Sequence, residues 1–166
     1  MANIKLVYAT PVTLTITNAN LASSPTAGWQ SAGQDNTSNL YLDALVQVKL
    51  AAVNTAPANN KTIYLFGFGV ADGSTTDYGT NGAAAVTGAE GTLTFPDITA
   101  NPLVCPLIGT IPYPTQNVAL ISQPFSIAQT FGGILPAKYA IGMLNYSGMT
   151  LNVTSIKIVP IYNTVI

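Results

Sequence analysis

The sequence predicts an all-β fold, an antiparallel β-sandwich, on three observations. Apolar and polar residues alternate with period two over several long stretches. Fourteen glycines and eleven prolines punctuate 166 residues. No long segment carries the three-to-four spacing of an amphipathic helix, and so many prolines disfavour extended helices. Together these favour roughly seven to nine short strands in two packed layers, and a jelly roll fits that count best.

Residues 40–52 carry the clearest alternation. Leu40, Leu42, Ala44, Val46, Val48, Leu50 and Ala52 fall on one face, and Tyr41, Asp43, Leu45, Gln47, Lys49 and Ala51 on the other. Slipping the register by one residue would bury Asp43, Gln47 and Lys49, so the first face is predicted to line the core. Val12, Leu14 and Ile16 form a shorter stripe over residues 12–17. Residues 62–71 read as a buried strand with Tyr64, Phe66, Phe68 and Val70 on one face. The opposite face holds Ile63, Leu65, Gly67 and Gly69, and glycines inside a strand signal a bulge or a close neighbour. Further strands are expected at 91–95, 103–111, 118–127, 139–146 and 151–161. Turn signals separate them, at residues 56–60, Asp72-Gly73-Ser74, Asn81-Gly82, Asn101-Pro102, Gly132-Gly133 and Ser147-Gly148. Residues 126–131 read as one short helical turn ended by the glycine pair. Residues 70–91, rich in small and polar side chains, read as a long exposed loop, and residues 18–36 resemble it but hold the single tryptophan. With no repeat and no linker, residues 1–166 form one predicted domain, with residues 1–8 as a candidate extended arm.

Composition narrows the function. The chain is 48% hydrophobic and only 7% charged, with no histidine and a net charge of -1, against about 25% charged residues in ordinary domains. The basic residues are Lys5, Lys49, Lys61, Lys138 and Lys157, and the acids Asp35, Asp43, Asp72, Asp77, Glu90 and Asp97. General acid–base catalysis needs titratable groups close together, so enzymatic activity is not expected. Five scattered lysines make no phosphate-binding patch, which argues against nucleic acid. Apolar runs fall short of a membrane span. The first residues lack a basic-then-apolar signal, which predicts synthesis in a cytoplasm without conventional export. So little charge predicts a surface covered by partner subunits or hydrated through neutral polar groups.

Each chemistry-bearing motif has a structural reading beside it. Cys105 lies in an apolar run with no histidine to activate it, and reads as a small buried hydrophobe. Asp72 and Asp77 flank an oxygen-rich stretch that calcium or a sugar would accept. Asp-Gly is also an ordinary turn, and the closing acidic ligand of a calcium loop is missing. No cofactor or metal is therefore expected. Gly67-Phe68-Gly69 lacks the rest of a dinucleotide fingerprint. The acceptor patterns at Asn36, Asn60, Asn145 and Asn152 are what chance produces in an Asn- and Thr-rich chain. Tyr64, Tyr139 and Tyr146 are strand residues expected in or beside the core. Trp29, Tyr78 and Tyr113 fall in predicted loops, where they could serve as contact residues for a partner or a glycan. Ile4, Leu6 and Tyr8 of the N-terminal arm are the other candidate interface residues.

Several segments share an order and spacing with a known group. They are Asp35-Asn36-Thr37-Ser38-Asn39-Leu40-Tyr41-Leu42-Asp43, Lys61-Thr62-Ile63-Tyr64-Leu65, Asp72-Gly73, and Gln123-Pro124-Phe125-Ser126-Ile127-Ala128. Phe131-Gly132-Gly133-Ile134-Leu135-Pro136-Ala137-Lys138-Tyr139 and Asn145-Tyr146-Ser147-Gly148 follow. Over about residues 29–148 the chain resembles small virion proteins of tailed bacteriophages, with Tyr139-Ala140-Ile141 in place of that group's Trp-Gly step. The resemblance implies a jelly-roll or β-sandwich structural protein without enzymatic activity, a capsid decoration (cement) protein that clamps neighbouring capsomers. It further implies a homo-oligomer, dimer or trimer, bound to the major capsid protein or other virion proteins, and a virion location after synthesis in the host cytoplasm. The alternatives are a tail, neck or fibre component, or a glycan-binding module on the particle.

Overall fold

The computed structural model describes residues 3–17, 19–58, 61–72, 78–79, 81–100 and 105–165. In chain order the strands are β1 (Ile4–Tyr8), β2 (Val12–Leu14), β3 (Asn20–Leu21), β4 (Ala27–Gln30), β5 (Gln34–Asp35), β6 (Asp43–Leu50) and β7 (Thr62–Val70). There follow β8 (Gly91–Thr94), β9 (Leu107–Pro112), β10 (Leu120–Ile121), β11 (Phe125–Ser126), β12 (Lys138–Tyr146) and β13 (Leu151–Val165). A 3-10 helix, Ala128–Phe131, follows β11.

These strands form two antiparallel sheets packed face to face. The first runs β1-β13-β6-β10, with β2 and β3 also on β13 and β11 on β6. The second runs β8-β4-β12-β7-β9, with β5 also on β12. Taking β1 with β2, and β10 with β11, as single positions, the chain visits eight main positions. The first sheet holds them in the order 1-8-3-6 and the second in the order 2-7-4-5, which is jelly-roll topology, with β8 added outside the second position. The chain crosses between sheets at nearly every step, and this closes one core between them.

That core holds Ala44, Val46, Val48 and Leu50 of β6, Ile63 and Leu65 of β7, Ile141 and Met143 of β12, and Leu151, Ile156 and Ile158 of β13. Burying each large aliphatic side chain contributes about 1.5–3 kcal/mol. The alternation of residues 40–52 therefore sets the facing of β6, but only from Asp43 onward. Leu40 is 73% exposed and Leu42 is 45% exposed, so Leu42 is not a core residue. Leu40 takes a positive φ of 51°. The preceding segment is pinned as a turn by Asn36, whose side chain accepts from Tyr41 N (2.7 Å) and donates to Tyr41 O (3.0 Å). A local side-chain bond of this kind outcompetes the start of a ladder.

A second apolar cluster covers the outer face of the second sheet. Phe66, Phe68 and Val70 of β7 and Ala140 and Leu144 of β12 pack there against Tyr78, Val86, Leu93, Phe95, Ile98 and Cys105. All six covering residues belong to the connection between β7 and β9; Tyr78 and Val86 fall in the 70–91 stretch expected as an exposed loop, Leu93 and Phe95 in the strand expected at 91–95, and Cys105 in the one expected at 103–111. The physical reason is that β7 is apolar on both faces, so its outer face needs its own cover. The two strand glycines mark a close approach on the inner face. A Cβ at Gly69 would sit 2.6 Å from Pro136 and 2.8 Å from Phe131, and one at Gly67 would sit 3.2 Å from Thr130. The 3-10 helix and the corner after it thus lie directly on β7. Gly132 and Gly133 turn that corner with φ of 77° and 96°, values that favour glycine. Leu135 is buried there and Phe131 packs against the core.

A candidate interaction surface

The polar groups of the described residues are largely committed to holding the fold. Asp43 accepts from Ser126 Oγ (2.7 Å) and from the backbone N–H of Ala44 (2.7 Å) and Ala128 (2.8 Å), fastening β6 to the 3-10 helix. Glu90 accepts from Thr17 N (2.8 Å), Thr17 Oγ1 (2.7 Å) and Trp29 Nε1 (2.6 Å). Burial pushes its carboxyl up, but these donors outweigh burial and hold it below the ordinary glutamate value. Asp35 and Asp97 each accept from the hydroxyl and the backbone N–H of a threonine two residues on, Thr37 and Thr99. Those bonds lower both carboxyl groups. Asn145 is fully buried and joins Leu21 O, Met149 O and Ser147. Asn36 is buried as well, so neither of these two acceptor-pattern asparagines presents its amide to solvent.

Three of the sequence-predicted contact residues are core residues. Trp29 is 0% exposed; it lies on β4, not in a loop, and faces the space between the sheets. Tyr113 is 1% exposed, and its hydroxyl donates to Val118 O at 2.6 Å. Tyr78 is 8% exposed and lies in the outer cluster, its ring filling the space a side chain would need at Gly33 and Gly88. Desolvation, then Asp35, raises its phenol. A large aromatic in a segment of small residues is what such a segment buries to anchor itself, which is why loop position misplaced all three. Tyr139 is buried with its phenol pushed well above the ordinary value by burial, then by Tyr41 and Asp43. Tyr64 and Tyr146 pack beside the outer cluster. Cys105 is buried, with its thiol pushed up to about 11 by burial. Asp77, Asn60 and the turn at Asn101 and Pro102 lie outside the described residues. Asp72 lies on the surface after β7. Among the described residues no group of three or more His, Cys, Asp or Glu side chains is placed to hold a metal ion. No helix among them is long and apolar enough to cross a membrane.

The three arm residues are exposed. Ile4, Leu6 and Tyr8 are 72%, 53% and 61% exposed, and Val165 beside them is 68% exposed. They do not sit on a free arm, however, because residues 4–8 are β1, paired with the end of β13 from Ile4↔Val165 to Tyr8↔Ile161. Cross-strand partners share a face, so Ile4, Leu6, Tyr8 and Val165 make one apolar stripe. β6 pairs with β13 only as far as Asp43↔Ile161. Beyond that point β1 and the end of β13 continue as a two-stranded ribbon.

On the opposite edge of the sandwich, a groove of about 310 Å³ opens between β9 and β10, lined by Thr110, Pro112, Leu120, Ile121, Gln123 and Phe125. Ile121 is 62% exposed, and Val118 nearby is 49% exposed. The sequence reading did not single this groove out. Its signal was the irregular 118–127 run, too apolar for an ordinary loop yet broken into two short strands. A polar cleft of about 280 Å³ lies between Gly33, Asp35, Tyr78, Thr87, Gly88 and Lys138. No protein-family model matches this chain, and a search of curated proteins finds no relative.

Proposed function

We propose that this protein is a non-enzymatic structural subunit of a tailed-bacteriophage particle, a capsid decoration protein that adheres to the shell through low-charge surfaces. The observation that carries the reading is the pairing of carboxylates committed to holding the fold with exposed apolar residues at both edges of the sandwich. Asp43, Glu90, Asp35 and Asp97 accept bonds that fasten backbone, while Ile4, Leu6, Tyr8, Ile121 and Val165 stay more than half exposed. Exposed apolar groups with few neighbouring charges are a means of adhesion to another protein. On a closed shell, many modest contacts of this kind gain from multivalency. The resemblance over residues 29–148 supplies the particle; the two apolar edges supply the means of attachment.

The test is location and salt response together. Gold-labelled antibody against the chain, imaged on intact particles, is expected to decorate the head. Particles washed up to ~0.5 M salt are expected to retain the protein, because apolar contacts do not depend on charge screening. Its absence from purified particles would overturn the reading. Labelling of the tail or neck alone would move the protein to the alternative location. The polar cleft at Asp35, Tyr78 and Lys138 favours a second reading, a glycan site, which predicts a measurable response to monosaccharide titration in the amide spectrum of Gly33 and Gly88.

A further inference from the structure

We propose that β1 is a self-association strand, and that a second copy of this chain adds its own β1 antiparallel to the first across a two-fold axis at Leu6. β1 ends its sheet, and no strand pairs with its outer edge among the described residues. Its end-of-sandwich portion rests on β13 alone, and an isolated two-stranded ribbon is marginal in water. An uncovered edge of this kind is a template for a further strand.

The hydrogen-bond phase of β1 selects the register. Ala9 N donates to Pro160 O, so Ala9 and Pro160 are a hydrogen-bonded pair. Antiparallel pairs alternate, so Val7 and Lys5 also direct their backbone groups at β13. The N–H and C=O of Ile4, Leu6 and Tyr8 therefore point to the open edge. A two-fold at Leu6 faces Leu6 with Leu6 of the second copy, and Ile4 with Tyr8 in both directions. It is the only two-fold register that uses all of β1, and each facing pair exchanges two backbone bonds.

Charge agrees with the same register. Lys5 is the one charged residue of β1, and it falls opposite Val7 of the second copy. A two-fold at Lys5 would set two ammonium groups face to face, which is destabilising. The low net charge of -1 leaves little repulsion between copies. A two-fold normal to the sheet also places both apolar stripes on one face, Ile4, Leu6 and Tyr8 of each copy side by side. The dimer itself does not depend on the shell reading. The use of that merged face as a shell contact does rest on it.

The interface is small, about five residues a side against the 20–30 of a standard one, so the free dimer dissociates readily on dilution. The experiment uses the full chain in a Cys105→Ala background. Under mild oxidation Leu6→Cys is expected to form a disulfide-linked dimer with itself. Ile4→Cys and Tyr8→Cys are expected to cross-link when mixed but not separately, since facing Cα atoms in a bonded pair sit at about 5.5 Å, within disulfide reach. Sedimentation equilibrium should show a monomer–dimer equilibrium in the parent. Leu6→Pro should weaken it at least tenfold, because it removes an N–H from the open edge and none from the bonds to β13. Should Leu6→Pro fail to fold by circular dichroism, Leu6→Lys sets like charges opposite one another and should weaken the dimer similarly. A parent that stays monomeric at high micromolar concentration, or Ile4→Cys cross-linking as well alone as in the mixture, overturns the proposal. A correct cross-linking pattern with protein absent from particles would leave the dimer standing and the shell reading refuted.

Discussion

Replacing Phe95 with alanine tests whether the connection between β7 and β9 is part of the folded core. Phe95 is 2% exposed. Its ring lies 5.1 Å from that of Phe66 and 6.5 Å from that of Phe68, both tilted. It also lies over two strand glycines: a Cβ at Gly28 would stand 2.5 Å from the ring and one at Gly142 2.9 Å from it. Ring, β4 and β12 therefore fit each other with no space left over. Truncating a phenylalanine in such a site costs about 3–5 kcal/mol, and the backbone at Gly28 and Gly142 offers no side chain to collapse into the hole. For a chain of this size each kcal/mol lowers Tm by about 2–4 °C, so the variant should melt roughly 6–20 °C below the parent. Differential scanning calorimetry measures this directly, with Leu40→Ala, at an exposed position, as the control expected within about 0.5 kcal/mol of the parent. A Phe95→Ala protein that melts within 2 °C of the parent would show that the Phe95 ring does not pack on β4 and β12, and the second core would be refuted.

Glu90→Gln should lower stability near neutral pH. Because the folded carboxyl lies below its usual 4.5, the parent's advantage is full above that pH and shrinks as pH falls through the folded value. An advantage that persists unchanged at pH 3 would refute the charge-assisted role of Glu90. Gly133→Val should cost about 1–2 kcal/mol in chemical denaturation, since φ of 96° strains a branched residue while no atom lies within 4 Å of the new Cβ. Equal loss in Gly133→Ala and Gly133→Asn would count against a left-handed requirement, which asparagine tolerates better. Cys105, with its thiol pushed up to about 11, should react with a thiol-specific reagent at neutral pH on the order of 100-fold more slowly in the folded than in the denatured protein. Equal rates would show that the thiol is not shielded.

The sequence by itself determined the class of fold and the facing of its central strands. A run such as Ala44, Val46, Val48 and Leu50 against Asp43, Gln47 and Lys49 admits one pleat direction, because the alternative buries charge. The corner at Gly132 and Gly133 was legible for a similar local reason, since successive glycines after a short helical turn mark positive φ. Tertiary structure alone decided what covers each face. Alternation says which residues share a side of a strand, and β7 has two apolar sides; that Phe66 and Phe68 are roofed by Leu93, Phe95 and Ile98 is a contact across the chain, invisible to any local window. The burial of Trp29, Tyr78 and Tyr113 follows from the same long-range closure. The exposure of Ile4, Leu6 and Tyr8 has the converse origin: their alternation with Lys5 and Val7 would suit a buried strand, but β13 outruns β6, and among the described residues that end of the ribbon is left uncovered on their side.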